Sequence, residues 1–194
     1  MNGPQPRAAE AVSGRALSSG LIVPVEAVRE LVSPWTHLLP AASRGLPPHV
    51  PALWPFLPAD ALDDALERRL AALLEGLPAF AFALGRVTGL ADAVVLVPVP
   101  EDPFVALTRL LWAEWPECPP FGGAYEDIAP RLTVGLDPTS SERAAIETAL
   151  APRLPLAARA TEVLLVEQTE GGALAERRRF TQKSLVRKFA ISRR

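Results

Sequence analysis

Cysteine is almost missing from this chain: Cys118 stands alone, which excludes an internal disulfide and a Cys-rich zinc site. Histidine is nearly as scarce, with His37 and His49 the only two, so no His-rich metal spacing exists and no metal or other cofactor is expected. Long apolar runs are also absent. None approaches the ~20 residues that cross a bilayer, and the N-terminal MNGPQPRAAEAVSG has no apolar signal core. The expectation is a cytoplasmic protein with no membrane partner. Gly122–Gly123 is not followed by Lys-Ser or Lys-Thr, so it is no phosphate-binding P-loop, and no nucleophile elbow occurs.

A general excess of positive charge is missing as well. Net charge is −2, but Glu176 to the C-terminus carries eight Arg or Lys against one acid. The first 175 residues therefore hold 12 bases against 21 acids, a net of −9. An acidic body does not attract nucleic acid at long range, and the basic end reads first as a solvated tail and second as an RNA or phosphate contact.

What the chain has in quantity is apolar residues, at 49%, and 21 prolines that punctuate the apolar segments. Residues 1–16 are small and polar and read as a flexible N-terminus; 17–182 form one domain; 183–194 form a basic tail. Ser19–Val25 reads as a strand and Val25–Leu39 as a helix. His49–Phe56 is extended, with Pro51 and Pro55 suiting an edge or a strand end. Asp60 caps a helix to Gly76, Phe80–Thr88 and Ala93–Val99 are strands, and Asp102–Pro103 open a helix with Phe104, Leu107, Leu111 and Trp115 on its inner face. Arg131–Leu136 is a strand, Thr139 and Glu142 have capping-box spacing for a helix to about Arg153, and Leu156–Val166 and Leu174–Thr181 are strands joined across Gly171–Gly172. Trp35, Trp112 and Trp115 sit on helix stripes as core. Mixed strands and helices without strict βαβ alternation argue an α+β fold.

Two stretches resemble a known family. PPHVPALWPFLP at 47–58 resembles the first signature of the 2′-5′ RNA ligase-like, or two-histidine, phosphoesterases, where His-x-Thr or His-x-Ser begins a strand ending in a Tyr-Pro-Phe-like run. CPPFGGAYEDIAPRLTVG at 118–135 resembles the approach to the second signature, usually Pro-His-Leu-Thr. The opening SGLIVPV and the final Arg-rich strand agree, so the similarity covers about residues 19–182. The resemblance implies two similar lobes of antiparallel sheet plus helices around a central cleft. It implies cleavage of 2′,3′-cyclic phosphates or 2′-5′ linkages by two imidazoles, one accepting and one donating a proton, without metal.

Against that pattern, His49 is kept but the hydroxyl position is Pro51, which offers neither hydroxyl nor N–H. Thr133 is kept but the second histidine position is Arg131, which stays protonated and cannot shuttle a proton. His49 is the candidate catalytic residue or clamp, and Arg131 with Thr133 the candidate anion site. Trp54, Phe121 and Tyr125 are candidate pocket walls. Arg131 reads equally as a structural ion pair with Glu126 or Asp127, and a carboxylate there is also an alternative proton carrier. His37 lies apart from both motifs. Three functions follow as expectations: a diverged member binding a small or nucleotide-like anion and adapted to another reaction, such as a biosynthetic step; a weak cyclic phosphodiesterase or RNA-end-processing enzyme using His49 with Arg131; and a non-enzymatic nucleotide or RNA-binding module.

Overall fold

The computed structural model describes residues 19–90, 92–124 and 127–183; the expected flexible N-terminus, Tyr125, Glu126 and nearly all of the basic tail lie outside them. Among these residues, eight strands form two antiparallel four-stranded sheets. β1 (Ser19–Pro24), β2 (His49–Leu53), β7 (Glu162–Gln168) and β8 (Leu174–Thr181) make the first, in the order β2-β1-β7-β8. β3 (Phe80–Gly89), β4 (Ala93–Val99), β5 (Leu132–Leu136) and β6 (Leu156–Ala160) make the second, in the order β5-β4-β3-β6. Each sheet belongs to one lobe of an α+β fold. The two strands that begin the motifs, β2 and β5, are edge strands, and proline at position 51 is tolerated there.

Among the described residues, four α-helices accompany the sheets: α1 (Arg29–Val32), α2 (Asp64–Leu74), α3 (Asp102–Glu114) and α4 (Ser140–Leu150). The stretch expected as one helix over Val25–Leu39 has only four α-helical residues, flanked by 3-10 turns at Glu26–Val28 and Ser33–Leu38. Pro34 lacks the N–H that an α-helix would need there, and the chain tightens instead. The cap of α2 is Asp63, whose carboxylate accepts the Leu66 N–H at 2.8 Å; Asp60 lies in a separate 3-10 turn. The capping box at Thr139 and Glu142 forms with both of its reciprocal bonds, which stops the helix from fraying at its start. The run Leu156–Val166 breaks at Thr161 into β6 and β7, and the two halves join different sheets.

The main core sits where both sheets meet the helices. Val50, Ala52, Leu21 and Val23 from the first sheet join Phe82, Leu84, Leu96 and Leu132 from the second, with Leu66, Phe104 and Ile146 from the helices. Trp115 is buried edge-on to Phe56 at 5.4 Å and Trp35 packs partly against the core, whereas Trp112 is 40% exposed at the solvent edge of the α3 stripe. That corrects the core reading for Trp112.

The arginines of β8 are structural. Glu67 on α2 accepts from Arg177 at 2.7 Å and Arg178 at 2.8 Å, while Arg177 also reaches the Leu62 carbonyl and Glu167. Arg179 lies between Glu162 and Glu176, each at 2.7 Å. The Glu67 side chain is 12% exposed, so removing its charge leaves two guanidinium groups facing a poorly solvated space. Glu67→Gln should lower unfolding free energy by about 2 kcal/mol at neutral pH, with the exposed side of Arg178 discounted for screening. Bonds from Arg178 and then Arg177 hold the Glu67 carboxyl below its ordinary value of 4.5. Its stabilisation is therefore complete above that value and is lost as pH falls through the lower native one. Urea unfolding of both proteins should show a gap at neutral pH that closes in strong acid; a gap that persists in acid would mean that shape rather than charge is responsible.

Candidate functional site

The edges of the two sheets come together: β2 and β5 are in contact. Strand alternation then decides what faces the space between the lobes. On β2, Val50 and Ala52 enter the main core, so His49 and Pro51 take the other face; Pro51 stands opposite Ile22 of β1. On β5, Leu132 and Val134 enter the core and Thr133 takes the other face, opposite Val95 of β4. Arg131 immediately precedes β5 and is half-buried. The residues picked out by the family resemblance thus come from two strand edges that touch.

His49 is half-buried at the first residue of β2. Its Nδ1 lies 2.8 Å from the Pro47 carbonyl. A carbonyl only accepts, so Nδ1 carries the proton and Nε2 keeps its lone pair in the neutral ring. Burial pushes the His49 pKa below its ordinary value of 6.5, partly opposed by that carbonyl. Burial thus favours the neutral form of the ring. Nε2 has no partner among the described residues and is available as a proton acceptor.

Arg131 has no carboxylate or hydrogen-bond acceptor among the described residues, and neither has the Thr133 hydroxyl. Asp127 is exposed and does not pair with Arg131. His37 is exposed, its Nδ1 donating to the Pro34 carbonyl at 3.1 Å and its Nε2 3.5 Å from Glu142 at the start of α4. It takes no part in the arrangement at β2 and β5.

A shallow depression of about 260 Å3, counted with its open mouth, lies at the junction of the motifs. Pro51 and Trp54 form one side, Phe121 and Pro120 another, and Ile128 with Pro130 close it; Thr108 of α3 reaches it from below. His49, Arg131 and Thr133 do not line it, although Pro51 and Pro130 are their near neighbours in the chain. Phe121 adopts a left-handed backbone (φ 52°, ψ 31°), as does Gly122, and the Phe121 N–H donates to the Trp54 carbonyl at 2.6 Å. A non-glycine residue held there is strained unless its surroundings fix it, and this bond between the two walls does so. Thr108, Ile128 and Pro130 escape sequence reasoning because apolar or hydroxyl residues in a helix and a loop carry no chemical signature.

The sequence profile of the 2′-5′ RNA ligase superfamily matches residues 21–172. The chain belongs to that superfamily. Solved structures of similar fold include Escherichia coli LigT complexed with 3′-AMP, at 16% identity and TM-score 0.54 over 86% of this chain and 98% of that one. LigT complexed with NADP+ follows at 17% identity and TM-score 0.53, with the same coverage. The protein TT0787 of Thermus thermophilus has 20% identity and TM-score 0.54 over 84% of this chain and 97% of that one. No curated protein sequence matches. At these identities the likeness establishes the two-lobed fold, and the chemistry must be argued from the side chains. The edge strands β2 and β5 bring an imidazole, a guanidinium and a hydroxyl to neighbouring sheet edges. Among the described residues no cluster of three or more His, Cys, Asp or Glu exists, and no helix is long and apolar enough to cross a membrane.

Proposed function

We propose that this member of the 2′-5′ RNA ligase superfamily binds a small anionic ligand between its lobes, and that ordinary two-histidine phosphodiester cleavage has been lost. One observation carries the reading: Arg131, half-buried beside β5, has no carboxylate partner among the described residues. A half-buried guanidinium with no counter-charge among the described residues can receive an incoming anion, which its planar fork binds through two parallel bonds. Thr133 adds a hydroxyl donor, and His49 Nε2 accepts a hydrogen bond or a proton from the same ligand. That LigT has been solved in complex with 3′-AMP and with NADP+ supports a small molecule as the ligand. Arg131 does not serve as the acid of the two-histidine scheme, because a guanidinium does not give up its proton at working pH.

The neutral state of His49 favours a second reading, a slow phosphoesterase in which His49 is the base and Arg131 stabilises charge on the phosphorane. One experiment separates them. Calorimetric titration with inorganic phosphate should give binding that weakens roughly 10-fold to 100-fold in Arg131→Ala, the value of a charge-assisted hydrogen-bond pair, and less in Arg131→Lys. Glycerol 1,2-cyclic phosphate should survive incubation with the wild type. Turnover that vanishes in His49→Ala would establish the phosphoesterase, and phosphate binding indifferent to Arg131 would sink the anion site.

A further inference from the structure

A β-bulge decides which way Trp54 points. On β2 the pairing with β1 shifts between Leu21↔Leu53 and Ile22↔Pro51, which leaves Ala52 as the extra residue. Strict alternation would send Trp54 to the same side as Val50 and Ala52. With the bulge, Ala52 and Leu53 both enter the main core, and Trp54 emerges on the face of His49 and Pro51. There it packs with Ile22, Leu46, Leu164, Val166 and Leu174 in a separate apolar cluster. Register confirms the face: Ile22 stands opposite both Pro51 and Leu164, and Gly20 opposite Val166.

The indole is seated on Gly20. A Cβ built there would lie 1.9 Å from Trp54 Cε3 and 2.3 Å from Cζ3, so only glycine lets the ring lie this low on the strand. The backbone of Trp54 is held from the other side by the Phe121 N–H. Beside Pro51, this face of the strand is therefore already covered by the protein's own indole. The depression that borders Trp54 is shallow, about 260 Å3 even with its open mouth counted.

We propose that Trp54 is the specificity-determining residue of the site: its indole, seated on Gly20, excludes a nucleoside and admits only a compact anion such as phosphate or a short phosphate ester. This rests on the anion-binding reading of Arg131 and deepens it. The bulge and Gly20 act together, since the first aims the ring and the second gives it room.

Affinities for inorganic phosphate and for adenosine monophosphate, measured by calorimetry on the whole chain, test the idea. The wild type should prefer phosphate by about tenfold or more, and Trp54→Ala should shift the ratio toward adenosine monophosphate by about tenfold. Trp54→Leu keeps apolar volume over Gly20 while removing the ring system, and it should move the ratio in the same direction by less. It serves as the test if Trp54→Ala does not fold. Equal affinities in the wild type, or weaker adenosine monophosphate binding in the Trp54 variants, would overturn the proposal, the second by showing that the indole stacks on a base. Phosphate binding that ignores Arg131→Ala would sink the anion site alone, because gain of the nucleotide on removing Trp54 is read independently.

Discussion

The double variant Pro51→Thr with Arg131→His should cleave glycerol 1,2-cyclic phosphate at least about 100-fold faster than the wild type, the usual contribution of one positioned acid. Position 51 is on the face of His49, two residues along an edge strand, so threonine there brings a hydroxyl to the site and restores an N–H to the strand. Position 131 stands two residues before Thr133, where an imidazole can donate the proton that Arg131 holds permanently. His49 needs no change, because its Nδ1–H is already tied to Pro47 and its Nε2 is free to accept. The choice of substrate matters. A cyclic phosphate without a nucleobase avoids Trp54, and 2′,3′-cyclic AMP should stay intact until Trp54→Ala is added. Steady-state hydrolysis at several pH values checks this. A double variant that folds, binds phosphate and remains inert would mean that β2 and β5 hold their side chains at a spacing unsuited to in-line attack.

Phe104→Ala should cost about 3–5 kcal/mol, a large share of the roughly 5–15 kcal/mol that keeps a domain folded. The ring is 2% exposed and meets Phe80 edge-on at 5.0 Å and Phe82 at 4.9 Å. Both partners belong to β3, so the three rings fasten α3 to the second sheet. Such pairs contribute beyond their buried area, and truncation also opens a cavity that rigid strands cannot refill. Thr108 is one turn further along the same helix and reaches the depression, so loss of this anchor should loosen the site as well. Denaturant unfolding measures the loss; a change below about 1.5 kcal/mol would show that α3 slides to fill the gap.

Much of this architecture was legible because it is local. The Thr139–Glu142 box, the Pro103 start of α3 and the apolar run Ala93–Val99 are written in neighbouring residues, and each formed over the expected segment. What depends on distant partners was not legible. Nothing near Thr161 says that residues before it pair with β3 while those after it pair with β1. At the site, His49, Arg131 and Thr133 could be singled out because they begin strands that resemble known signatures. The direction of Trp54 could not, since it follows from a bulge fixed by pairing with a strand far earlier in the chain. A glycine inside the apolar strand SGLIVP was the one available hint of a close approach, and it named no partner.

The sheet order also sets a timetable. The second lobe is one unbroken stretch from β3 to β6, so all its pairings can form as soon as Ala160 has left the ribosome. The first lobe cannot close then: β1 lies between β2 and β7, and β7 and β8 have not yet emerged. At the ~5–20 residues added per second during synthesis, β1 and β2 wait through the translation of the whole second lobe before their sheet can close. Ile22 and Trp54 spend that interval without Leu164 and Val166, the residues that later bury them. For the nascent chain this is the period of greatest risk of mispairing, and a chaperone that shields apolar edges would act on the strand that carries His49.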